Sequence, residues 1–354
     1  MNKMRAAVLY GPYDVRIEEV DIPEPDANEV VIKVKATGIC PTDLRKYTGD
    51  VLVKRPIILG HEFSGVVFKV GEDVSDVKEG ERVIANPFLY CHKCHYCREG
   101  RFKHCINLGA VGGAAEFGER YGGSFAEYLR VPSSNIYRIP EGVSWEEAAL
   151  VEPLAACLNG LSLCDPKPGD TIAIIGAGPI GMLHLQLSRF MGAGWIIVSE
   201  LLEHRRRKAE ELGADFVIDP RSRDPVKAVR ELTEGRGADI VIVATGRSEE
   251  ARCTEQGLRM AARGGVVNIF AGTWPETLMR VDPNIIHYRE IKLIGSYLYN
   301  PETFLKAARI VFSGRLKLRE IISHIFPLSE IREGFEVARD RRGLKVMIHP
   351  EADQ

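Results

Sequence analysis

The chain has 354 residues, 45% of them hydrophobic and 27% charged, and its 47 Lys and Arg against 49 Asp and Glu leave a formal net charge of −2. That length calls for two domains, since single cores rarely grow beyond about 250–300 residues. The near-zero charge argues against nucleic acid as a partner, and no apolar run approaches the roughly 18–20 residues of a membrane span.

The opening residues, MNKMRAAVLYGP, hold too short an apolar run for a secretory signal, so the cytoplasm is the expected compartment. The first roughly 150 residues then read as short strands punctuated by Gly and Pro. Over 29–36, Val30, Ile32, Val34 and Ala36 share one face, while Val31, Lys33 and Lys35 share the other. Further strands are expected at 5–10, 15–20, 64–70, 82–85 and 124–131. Many short strands without long helices suggest a barrel or sandwich.

Three scattered segments carry candidates for chemistry: Cys40 in GICPTD, His61-Glu62 in GHEFSG and Glu152 in VEPLA. Taken singly, Cys40 reads equally as a buried small hydrophobe and His61 as a core histidine. Glu62 reads as a surface acid and Glu152 as a favourable charge at a helix start. Together, Cys, His and carboxylate with one open position make a workable catalytic zinc site.

Residues 91–105 read CHKCHYCREGRFKHC, with cysteines at 91, 94, 97 and 105. This C-x2-C-x2-C-x7-C spacing lets four thiolates close a tetrahedron on one Zn²⁺. A disulfide framework is the weaker reading, because intracellular thiols stay reduced. A closed four-sulfur shell leaves no place for a substrate, so Cys91, Cys94, Cys97 and Cys105 are expected to bind a structural metal. His92, His95 and His104 are then expected to be solvated, and Cys157, Cys164 and Cys253 buried and inert.

The pattern changes near residue 144, where Ser144-Trp-Glu-Glu147 fits a capping box and predicts a helix start. From Thr171 strands alternate with helices. A strand at TIAIIG leads into a helix ending near 191, then come strand 195–199, helix 203–212, strand 215–218, helix 225–233, strand 239–243, helix 249–262 and strand 265–270. This is the order of a doubly wound parallel sheet. Arg205-Arg206-Arg207-Lys208, followed by Glu210 and Glu211, reads as a solvated helix face rather than a nucleic-acid patch. After about residue 295 come two helices and a last strand, 345–349, expected to return to the first domain.

Gly176-Ala-Gly178-Pro179-Ile180-Gly181 follows an apolar strand and opens a helix, the context that a dinucleotide fingerprint requires. Its glycines allow the turn, the approach of the pyrophosphate and close helix–strand packing, and the helix N-terminus favours negative charge. Glu200 stands nineteen residues beyond Gly181, where an acid accepts both ribose hydroxyls of NAD and repels the 2′-phosphate of NADP. Arg205 nearby is of the type that accommodates that phosphate. The expected cofactor is NAD.

With G38-I-C40-P-T-D43, G60-H-E-F-S-G65, the cysteine lobe, G122-G-S-F-A-E-Y128, V151-E-P-L-A155 and G176-A-G-P-I-G181 in this order, the whole chain resembles the zinc-dependent medium-chain alcohol and polyol dehydrogenases, the sorbitol- and threonine-type enzymes among them. The resemblance implies an α/β chain. A GroES-like β-barrel catalytic domain would span 1–152 and include the zinc lobe at 91–105. A Rossmann NAD-binding domain would follow at 153–295, and a segment at 296–354 would complete the catalytic domain. It implies two Zn²⁺ per chain, one catalytic and one structural, with Cys40 and His61 as catalytic ligands and Glu62 and Glu152 on or just behind the metal. Thr42 matches the hydroxyl that starts a proton relay, and Asp43 the acid that orients the ligand histidine. Where many relatives carry a proton-passing histidine this chain has Arg45, which cannot shuttle protons near pH 7. Leu298-Tyr299 stands where sorbitol-type relatives have Arg-Tyr, so a donor to a polyol hydroxyl is missing. The implied reaction moves a hydride from a secondary hydroxyl of a polyol, sugar or related small polar alcohol to NAD, in a homodimer or homotetramer. An L-threonine 3-dehydrogenase or a simple alcohol dehydrogenase is the alternative, with a non-catalytic nucleotide-binding protein behind both.

Overall fold

The alternation read at 29–36 belongs to a longer strand, Glu29–Gly38, in the computed structural model of the chain, which describes residues 3–113, 119–246, 249–273 and 277–351. The chain forms two units, Met1–Ala155 with Tyr299–Gly314 and Leu318–Gln354, and Ala156–Leu298 with Arg315–Lys317.

In the first unit, Glu29–Gly38 lies inside a seven-stranded sheet. Glu62–Val70 pairs along one side of it; Tyr128–Pro132 and Lys345–His349 pair along other parts of its length. Val30, Ile32 and Val34 pack on Phe63, Val67, Val83, Leu129 and Val131, an apolar core that fixes the register. The opposite face is less exposed than alternation suggests, since Val31 is buried too.

Three local readings need correction. The strand expected at 124–131 begins only at Tyr128. Upstream, the Ser124 amide bonds to the Gly60 carbonyl and the Phe125 amide to Leu59, while the Phe125 carbonyl serves Ala7, so no single ladder forms. A helix at Pro41–Thr48 was not anticipated, although Pro41 at its first position and Asp43 two residues later are start signals. The strand expected from 265 starts at Ala261, directly after the helix Glu249–Met260. The helix Pro283–Arg289 and strand Lys292–Gly295 are further elements that periodicity did not reveal, both being short.

The second unit carries a six-stranded, wholly parallel sheet in the spatial order 216–218, 195–199, 171–175, 238–243, 261–269, 292–295. Every residue of Thr171–Ile175 is buried, as expected for a strand covered on both faces. Chain order reverses beside this strand, which places a crevice at its carboxyl end. No helix among the described residues is long and apolar enough to cross a membrane.

His184, on the helix Pro179–Phe190, is fully buried against the edge of Phe270, with neither ring nitrogen hydrogen-bonded among the described residues. Burial pushes its pKa down to about 3. The native ring therefore stays neutral while the unfolded one charges below about 6.5, so unfolding gains protons as pH falls through that window. Between pH 7 and pH 5 the wild-type chain should lose about 2 kcal/mol more stability than His184→Leu. Urea unfolding at the two pH values measures this, and parallel losses in both proteins would refute it.

Candidate metal centre and dinucleotide site

Cys40 caps the helix Pro41–Thr48, and its amide donates to Asp43 Oδ2 at 3.0 Å. Asp43 is fully buried and its other oxygen lies 3.4 Å from His61 Nδ1. His61 sits just after Gly60, and Glu62 opens the strand Glu62–Val70. The ligand atoms of Cys40, His61 and Glu62 all fall within 4.8 Å of one another. The fold thus gathers a thiol, an imidazole and a carboxylate from two adjoining segments.

The charges around this group are arranged against burial. Lys345, first residue of Lys345–His349, is buried and pairs with Glu62 Oε2, while its ammonium also donates to the Ile39 carbonyl at 3.0 Å. Burial works against the Lys345 charge, but Glu62 and then Cys40 outweigh it and hold its pKa above the ordinary lysine value. The pair fits because residue 38 is glycine. A methyl group there would run into Glu62 Oε2 and the Lys345 side chain. His61 is likewise raised well above its usual range, burial being overcome by Asp43 and Cys40. Asp43 is lowered against burial, chiefly by His61.

Glu152, in the first turn of Val151–Leu163, lies outside the group of ligand atoms. Its Oε1 accepts from the Tyr299 hydroxyl at 2.9 Å, and burial lifts its pKa to about 7. Tyr299 is itself fully buried, edge-on to Phe88, and its carbonyl accepts from Tyr90 at 3.1 Å. Thr42 sits half-buried on the helix behind Cys40. Lys345 and the Tyr299–Glu152 bond escaped sequence reasoning. The one available signal was a lysine opening a strand whose next three residues, Val346, Met347 and Ile348, are apolar.

The residues fit a divalent metal. His61 turns one nitrogen to a carboxylate, the usual partner of a metal-bound imidazole, which leaves its other nitrogen for a cation. Thiol and imidazole suit zinc.

The four cysteines of the lobe also converge, their sulfurs within 4.8 Å of one another. Cys91 and Cys97 sulfurs stand 3.9 Å apart, far beyond a disulfide bond and close to the roughly 3.8 Å edge of a zinc–sulfur tetrahedron. Backbone amides of Lys93 and Cys94 lower the Cys91 pKa to about 5, whereas burial raises Cys97 to about 12. His92, His95 and His104 are exposed and outside the group. Cys97→Ala is expected to lose the lobe metal and about 3 kcal/mol or more of stability, because a closed metal shell contributes to folding. Full metal content with unchanged melting would refute this.

In the second unit, Gly176 has φ 99°, and a side chain there would meet Thr245 and the Ala244 carbonyl. Gly181 lies against the Gly176 carbonyl, so helix and strand approach as the motif requires. Pro179 and Ile180 begin the helix Pro179–Phe190, whose N-cap is Gly178. Glu200 Oε2 accepts from the Ala177 amide at 2.7 Å and Oε1 from Leu202 at 2.9 Å, so the carboxylate is held at the turn. Arg205 is buried, its guanidinium 3.4 Å from where a Gly178 side chain would begin. Arg206 pairs with Asp219.

Residues 26–141 match the alcohol dehydrogenase GroES-like domain and residues 179–313 the zinc-binding dehydrogenase family. The chain is 35% identical to L-threonine 3-dehydrogenase of Bacillus subtilis over 99% of both chains. It is 31% identical to sorbitol dehydrogenase of the same organism, over 99% of this chain and 98% of that one. A crystal structure designated a zinc-binding dehydrogenase from Sinorhizobium meliloti, bound to NADP, superposes with a TM-score of 0.92 at 34% identity, covering 99% of this chain and 100% of the other.

Proposed function

The chain belongs to the zinc-dependent medium-chain alcohol and polyol dehydrogenases, and from that premise we propose that it oxidises a secondary hydroxyl of a polyol, sugar or related small polar alcohol with NAD as hydride acceptor. The observation that carries this reading is the group of Cys40 with the buried His61 and Glu62, charge-balanced by Lys345. As a member of this family it is an oxidoreductase of alcohols or polyols that uses zinc and a nicotinamide cofactor.

Cys40, His61 and Glu62 would hold the catalytic zinc, and the lobe cysteines a second, structural one. Bound zinc would supply the positive charge that lowers the pKa of a substrate hydroxyl toward neutrality. Asp43, whose Oδ1 lies 3.4 Å from His61 Nδ1, would orient the His61 ring. Glu152, with a pKa near 7, is suited to take up a proton at its carboxylate while Tyr299 holds it in place. Thr42 contributes the hydroxyl at the head of the relay, and Arg45 takes no part in proton transfer. In the second unit the Gly176–Gly181 turn receives the pyrophosphate and Glu200 the ribose hydroxyls, with Arg205 beside them. Glu200 favours NAD.

A second reading, an L-threonine 3-dehydrogenase, has the 35% identical Bacillus relative in its support. The enzyme is proposed to work in the cytoplasm as a homodimer or homotetramer.

The test is a panel of polyols, sugars, simple alcohols and L-threonine offered with NAD and NADP at equal concentrations, following absorbance of the reduced nicotinamide. Turnover of a polyol or sugar with NAD is expected. Turnover of L-threonine alone selects the second reading, and a strong preference for NADP overturns the cofactor assignment. No turnover by fully metallated protein removes the enzyme reading.

A further inference from the structure

Several cationic side chains of the second unit find a carboxylate: Arg189 with Asp215, Arg206 and Arg221 with Asp219, Arg223 with Glu231. One cluster of arginines instead converges on backbone carbonyls. Where the helix Glu249–Met260 ends and the strand Ala261–Ile269 begins, the guanidiniums of Arg230 and Arg289 both donate to the Ala261 carbonyl. Arg230 reaches it at 3.1 Å and also bonds the carbonyls of Arg259 at 2.8 Å and Gly235 at 2.7 Å. Arg289 reaches Leu258 at 3.3 Å, and Arg263 bonds the Tyr288 carbonyl at 2.9 Å. Among the described residues none of these three arginines forms an ion pair with an acid.

Two guanidiniums on one carbonyl oxygen, with a third nearby, repel one another. Burial first, and then Arg230 and Arg263, hold the Arg289 pKa below the ordinary arginine value. Helix carbonyls relieve part of this repulsion, since the C-terminal end of a helix favours cations. They bring only partial charge to a group carrying three full ones. Arg230 uses every nitrogen on backbone carbonyls, so it acts as the fixed floor. Arg263 is exposed and held by one nitrogen, which leaves the rest of its fork for a ligand.

We propose that Arg263 and Arg289, over the fixed positive floor of Arg230, form a binding site for a tetrahedral oxyanion of the phosphate or sulfate type, as the free ion or as an ester. Planar guanidinium forks match such oxygens bidentately, and a doubly charged ion would balance most of the cluster. The location separates this site from the dinucleotide turn. Ala261 and Ala238 begin neighbouring parallel strands, whereas Gly176 follows the end of Thr171–Ile175. The cluster is therefore at the opposite end of the sheet, and an anion there would not compete with a cofactor's pyrophosphate.

The experiment titrates the full-length protein with sodium sulfate against sodium chloride at matched ionic strength, reading the melting temperature. Wild type, Arg263→Gln and Arg289→Lys are compared. Arg263→Gln removes an exposed fork, and Arg289→Lys keeps the charge if the first variant proves unstable. Sulfate should raise the wild-type melting point beyond the effect of chloride, with its apparent affinity weakened about tenfold in each variant. An equal sulfate response in all three proteins would place the ion elsewhere, an adventitious ion only, and overturn the site. So would the absence of any excess over chloride. A fall in oligomeric mass in Arg263→Gln without change in sulfate response would overturn it as well, showing that the acids of another copy cover the cluster.

Discussion

Cys40→Ser should abolish turnover, lowering kcat/KM on the order of 10³-fold or more, while the fold and the lobe metal survive. The size of the effect follows from the group's composition. Cys40 is its one sulfur, and thiolate is the ligand that most favours zinc over harder cations. Replacing it by a hydroxyl leaves His61 and a carboxylate already committed to Lys345. Metal analysis should fall from two zincs per chain to one, with near-native melting because the lobe is untouched. Retention of full activity, or loss of both metals together, would contradict the division of roles between the two groups.

Lys345→Met should be the most damaging change outside the proposed metal ligands. It leaves the Glu62 carboxylate buried beside Cys40 and Glu152 without its cation. Stranding one partner of a buried ion pair costs roughly 3–5 kcal/mol. A metal bound to Cys40, His61 and Glu62 would offset part of that charge, so the loss should be larger in chelator-treated protein than in zinc-loaded protein. Pairing the change with Glu62→Gln should restore a good part of the stability, and a double-mutant cycle would give the coupling. Chemical unfolding with and without zinc decides the matter. Equal stability of wild type and Lys345→Met in the metal-free state would show that the pair carries no such burden.

Legibility in the sequence followed the range of the interactions. The cysteine lobe and the Gly176–Gly181 turn are local, so spacing alone brings their chemistry into view. The alternation of elements from Thr171 onward also reads directly, because each strand and helix carries its own period. Cys40 and His61 could be joined only through resemblance, and Glu62 looked like surface until Lys345 was found against it. That partner is separated by 283 residues, and Glu152 from Tyr299 by 147. No periodicity links such positions. Gly38 is similar: its side-chain-free surface matters only because an ion pair from two distant strands lies over it. The misplaced strand at 124–131 has the same origin, its backbone groups being claimed by residues 7, 59 and 60.

The strand that delivers Lys345 also sets a schedule for the growing chain. The second unit is almost wholly continuous, Ala156–Leu298, and can collapse as soon as it leaves the ribosome. The first unit pairs most of its sheet within residues 29–138, but its closure waits for Met347 and Ile348 to dock beside Gly38 and Thr37, and until they do Glu62 lacks its Lys345 counter-charge. During synthesis the first unit, begun first, is therefore finished last, and the charge of Glu62 stands uncompensated throughout that interval.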